Sequence, residues 1–114
     1  MQLTARPMSR GPSRHEIPAI DDAALRAARL ADPVLAYVRD RGLARWDRVL
    51  APLPDALRDG TLPEVRAAAR TARAAFGTKD SLADAVPSAL WIPFRDAIDA
   101  LLRALARRDA DLRE

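Results

Sequence analysis

Arg66, Arg70 and Arg73 recur at i, i+4 and i+7 within TLPEVRAAARTARAAFGTKD, residues 61–80. On a helix that spacing lays three guanidinium groups along one stripe, about 100° around from the apolar face. Between Glu64 and Asp80 there is no acid, and Lys79 adds a further positive charge. Unneutralised arginines about one turn apart suit the phosphates of a nucleic-acid backbone, which they bridge without reading bases. They suit an acidic groove on a protein equally. A solvated helix face in an arginine-rich chain is the plain alternative.

Two further basic groups extend this reading. Arg41, Arg45 and Arg48 share one helical face as a secondary patch, with Asp40 and Asp47 set among them. Arg6, Arg10 and Arg14 recur every four residues ahead of the first acid, Glu16. In an extended chain at ~3.3 Å per residue they stand ~13 Å apart, about two phosphates of a single strand. Arg103, Arg107 and Arg108 crowd the last helix, where cations favour the C-terminal end of the helix dipole.

Catalytic groups do not converge. The single histidine, His15, has no partner nearby in sequence; cysteine is absent, and there are three glutamates. Metal sites of the usual nitrogen or sulfur kinds therefore cannot be assembled, and no cofactor or catalytic residue is expected. The glycines at 11, 42, 60 and 77 stand singly at helix ends, so there is no phosphate-binding loop. Asp96 and Asp99 read as members of solvated pairs on one helix, Asp99 with Arg103 or Arg95. A helix-turn-helix around Gly42 would use LARWDRVL as its reader, which holds no Asn, Gln or Lys and places Trp46 in the core.

The elements that must position these groups are helical. Asp21 or Asp22 can cap a first helix, and Asp32-Pro33 reads as the N-cap and first residue of a second, ended by Gly42. Leu43, Trp46, Val49 and Leu50 line a third, stopped by Pro52. Thr61-Leu-Pro-Glu64 is a capping box that opens a helix ended by Gly77. Ser88 can cap a long last helix carrying Phe94, Ile98, Leu101, Leu102 and Leu105, with Pro93 in its first turns or restarting it. No stretch alternates with period two.

The chain has 114 residues and a net charge of +3, with 49% hydrophobic residues of which 25 are alanines. That suffices for one modest core. No apolar run approaches the ~20 residues of a membrane span, so no membrane association is expected. The basic start lacks the apolar stretch of a secretory signal, and its prolines spoil the amphipathic helix of a transit peptide, so a cytoplasmic location is expected.

The expectation is an all-α protein: an extended basic arm over residues 1–19, then a compact bundle of four to six short helices over residues 20–114. Its core should hold Leu25, Leu35, Val38, Trp46, Leu50, Leu57, Val65, Phe76, Trp91, Phe94, Ile98, Leu101 and Leu105. Any order in the arm should come from another chain. The expected function is that of a non-catalytic architectural subunit of a larger nucleoprotein assembly, contacting phosphate through Arg66, Arg70, Arg73, Lys79 and the arm. The alternative is an adaptor or regulator that binds an acidic protein. In size, helicity and basic character the chain resembles small helical subunits of ribonucleoproteins, such as the small subunit of CRISPR effector complexes. The likeness is one of kind and is carried by no motif.

Overall fold

A computed structural model describes residues 13–77 and 79–113 of the chain. These residues form six α-helices: α1 (Pro18–Asp40), α2 (Ala44–Leu50), α3 (Leu53–Asp59), α4 (Leu62–Ala74), the four-residue α5 (Leu82–Ala85) and α6 (Ser88–Arg113). A single 3-10 turn, Arg14–Glu16, precedes α1. The protein is all-α, with no strand among the described residues.

α1 and α6 are the long helices, and their mutual contact is the most extensive among the described residues. They run antiparallel, since Ile17 and Ile20 at the start of α1 lie beside Ala104 and Arg108 near the end of α6. α3 packs on α1, and α4 lies between α3 and α6. Alanines at the contacts (Ala27, Ala28, Ala69 and Ala72, all fully buried) bring these helices close together. Phe94, Ile98, Leu101 and Leu105 of α6 are buried in one core cluster with Val34, Val38, Leu57 and Val65.

Pro33 does not begin a helix; it lies inside α1, which runs unbroken for 23 residues. An interior proline forfeits one backbone hydrogen bond and costs ~3 kcal/mol. Here the buried stripe Ala24, Ala28, Ala31, Val34, Leu35 and Val38 continues in one register across it, and that burial outweighs the local cost. Asp32 is no cap and instead accepts from Arg58 Nη2 at 2.9 Å. Pro93 likewise lies inside α6. There Ser88 is the first helical residue, and the Pro87 carbonyl receives the amides of Leu90 and Trp91.

Local signals set the other ends. Gly42 takes φ +66°, while the Leu43 amide donates to Val38 O and the Gly42 amide to Arg39 O, closing α1 in a Schellman motif. At α4 the Thr61 hydroxyl accepts from the Glu64 amide at 3.3 Å, and Glu64 Oε1 accepts from the Thr61 amide at 2.8 Å.

Most of the expected core is buried. Leu25 is half-exposed on the flank of α1. Phe76 and Trp91 are half-buried, packed ring to ring at 5.8 Å, with Phe94 6.1 Å from Phe76 beneath them. Residues 1–12, which carry Arg6 and Arg10, lie outside the described residues. Residues 13–19 are part of the fold rather than of an extended arm: Arg14–Glu16 form a turn and Pro18 opens α1.

Candidate functional site

The α4 stripe is not the row of unpaired arginines that its sequence suggests. Arg66 makes a bidentate pair with Asp109 of α6, Nη1 and Nη2 each 2.9 Å from a carboxylate oxygen. Hydrogen bonding to Arg66 holds the Asp109 carboxyl below its usual pKa, against a smaller effect of burial. Arg73 Nε lies 3.0 Å from Asp99 Oδ1, also on α6. Asp99 therefore answers α4 and not the arginines of its own helix. The cause is packing: α4 lies along α6, so a face free of acids in its own sequence meets acids from another helix. Of the stripe, Arg70 alone is exposed with no ion pair among the described residues, as is Lys79 beyond the end of α4.

Arg14 departs further still from the contact its spacing suggests. Its side chain is 2% exposed, with Nε 2.9 Å from Asp21 Oδ1 and Nη1 donating to Gly60 O at 3.3 Å. An arginine so enclosed cannot reach a phosphate, and its order comes from its own chain. His15 Nδ1 also lies 3.2 Å from Asp21 Oδ1. Burial opposes ionisation of Asp21, but hydrogen bonds from Arg14 and His15 more than offset it and lower the carboxyl's pKa.

The patch at the α1–α2 corner behaves in the opposite way. Asp47, which interrupts it in sequence, is taken by Arg39, whose Nε is 3.0 Å from Asp47 Oδ1. Arg41 follows the last residue of α1, whereas Arg45 and Arg48 lie on α2 beyond the Gly42 turn, so the three do not share one helical face; all are exposed and make no ion pair among the described residues. Residues 39–48 carry four arginines against two aspartates, an excess of two positive charges. The guanidinium carbon of Arg41 lies 4.9 Å from the centre of the Tyr37 ring, and that of Arg45 lies 4.5 Å from the Trp46 ring. A cation over an aromatic face is held in place while its N–H donors remain free for an anion.

Because α1 and α6 are antiparallel, the start of α6 belongs to the same end of the bundle. There Arg95 lies over the Trp91 ring at 4.9 Å, and Ile92 is exposed. Arg39 and Tyr37 are the residues that sequence spacing overlooked. Arg39 on α1 reaches Asp47 on α2 across the Gly42 turn, a pairing made by the turn and not by spacing along one helix. Among the described residues no three histidines, aspartates or glutamates converge on a common point that could hold a metal ion.

Compared with known proteins, the chain matches no family model, no curated protein and no solved structure.

Proposed function

We propose that the protein is a non-catalytic, architectural component of a nucleoprotein assembly, and that its α1–α2 corner contacts nucleic-acid phosphates without reading sequence. One observation carries this reading: Arg41, Arg45 and Arg48 are free of acids while the aspartate between them is diverted to Arg39. Phosphate contact needs arginines whose charge is not already spent, and the corner has them. Two are braced on aromatic rings, which lowers the entropy lost when a phosphate is bound. Arg70 of α4 and Lys79 beyond its end are left to extend the contact.

Binding of a labelled single-stranded oligonucleotide, titrated with salt, tests this. Each phosphate neutralised on a single strand lowers log affinity by roughly 0.7 per unit of log salt. Three corner arginines therefore predict a slope near −2, unchanged when the oligonucleotide sequence is permuted. Absence of binding at about 50 mM salt, or binding that ignores salt, would favour an adaptor for a protein partner.

A further inference from the structure

The shallow groove between α3 and α4 is lined by carboxylates and no cation, whereas the hollow beside Arg66 and Arg70 and the one beside Arg107 and Arg108 are lined by arginines. It has a volume of about 490 Å³, and Leu53, Ala56, Ala67 and Ala68 contribute its apolar floor. Asp55, Asp59 and Glu64 are the charged residues that line it, and all three are exposed. Asp59 makes no ion pair among the described residues. Asp55 has only a long contact, 3.8 Å, with Arg58, whose closer partner is Asp32. Glu64 uses one oxygen in the capping box.

Gly60 lines the groove, and Gly60 is also where Arg14 is fastened: Arg14 donates to its carbonyl from an enclosed position. The twelve residues ahead of Ser13 hold two charges, Arg6 and Arg10, and no acid; their large apolar side chains are Met1, Leu3 and Met8. Twelve residues reach up to about 40 Å when extended, whereas α4 from Leu62 to Thr71 rises about 14 Å. Charge, apolar content, reach and point of attachment thus all match one occupant.

We propose that the α3–α4 groove is the docking surface for residues 1–12 of the same chain. Arg6 and Arg10 meet the carboxylates of Asp55 and Asp59, and methionine or leucine side chains cover the alanine floor. The Arg14 clasp delivers the segment to the groove. Unbranched methionine adapts well to a shallow floor of small residues. The proposal is independent of the function assigned above, because the corner arginines lie at the α1–α2 turn and on α2 and none lines this groove.

The chain has no cysteine, so Ser9→Cys in the full-length protein accepts a single nitroxide label. In a ¹⁵N-labelled sample, the amide signals of Ala56, Gly60, Ala67 and Thr71 should lose more than half their intensity while the label is paramagnetic. Adding Asp55→Asn and Asp59→Asn should restore most of it. A mixture of ¹⁵N-labelled unmodified chain with unlabelled spin-labelled chain should show no such loss. Broadening confined to residues 13–22 would overturn the proposal, as would broadening that survives the two asparagine substitutions. Loss of the groove signals in the mixed sample would also overturn it, assigning the groove to a segment of a second copy.

Discussion

The α4 stripe and the α1–α2 corner each present three arginines at helical spacing, and the structure treats them in opposite ways. The stripe has no acid in its own sequence neighbourhood, yet Asp99 and Asp109 of α6 take Arg73 and Arg66. The corner has two acids in its sequence neighbourhood, yet one is taken by Arg39 and three arginines stay free. Neutralisation of a charged surface is therefore a property of helix packing. An arginine 43 residues from its aspartate is paired as fully as one in the next turn.

Both regions depend on one core, and the largest effect comes from breaking it. Phe94 is fully buried, and Phe94→Ala should cost about 3–5 kcal/mol. Thermal unfolding should report a fall in Tm of more than about 10 °C, with both surfaces lost together. Unequal loss, for instance a corner that still binds oligonucleotide above the new Tm, would mean that the two regions do not share a folding unit.

The next effect concerns Arg14. Asp21→Ala leaves an enclosed guanidinium, whose Nη2 already finds no acceptor, without its carboxylate, and should cost about 2 kcal/mol. Asp21 and Asp109 both have lowered pKa values, so each favours the folded state at pH above the ordinary carboxylate value. That contribution should fade as pH drops below about 4, through the lowered folded-state values. Denaturant midpoints between pH 6 and pH 2.5 should fall less steeply in Asp21→Ala than in the parent. An equal slope would remove Asp21 from the account.

A smaller effect sharpens the comparison directly. Asp99→Asn with Asp109→Asn should release Arg73 and Arg66 and turn the stripe into the unpaired row that its sequence suggests. Oligonucleotide affinity at low salt should rise several-fold, with a salt slope steeper by up to about 1.4 for two more phosphates. Tm should change little, because these pairs are partly solvated. Unchanged affinity would show that α4 does not lie along the bound strand.

Much of the frame was legible in the sequence, because its signals are local. The Thr61/Glu64 capping box, the Gly42 stop and the apolar stripe of α6 act within one or two turns, and each stands where its chemistry requires. Pro33 misled because its cost is local, while the burial that overrides it is spread along the whole of α1. Leu25, Phe76 and Trp91 kept helical spacing, but whether a flank is covered depends on which helix lies beside it. The candidate site was legible in part. Arg41, Arg45 and Arg48 stood out by spacing, whereas their freedom from acids depends on Arg39 reaching across a turn. Arg14 shared the four-residue spacing of Arg6 and Arg10, and nothing local distinguishes an arginine that folds inward.

The central claim is that charge left free by packing, not charge counted along the sequence, decides which region meets phosphate. It is tested by two triple variants compared in one salt titration of oligonucleotide binding. Replacing Arg41, Arg45 and Arg48 with Gln should flatten the slope of log affinity against log salt by about 2, three phosphates at roughly 0.7 each. Replacing Arg66, Arg70 and Arg73 should flatten it by no more than about 0.7, the share of Arg70 alone. Circular dichroism of both variants should match the parent, so that the slopes compare folded proteins. The reverse order, with the α4 variant losing the steeper part of the slope, would contradict the account.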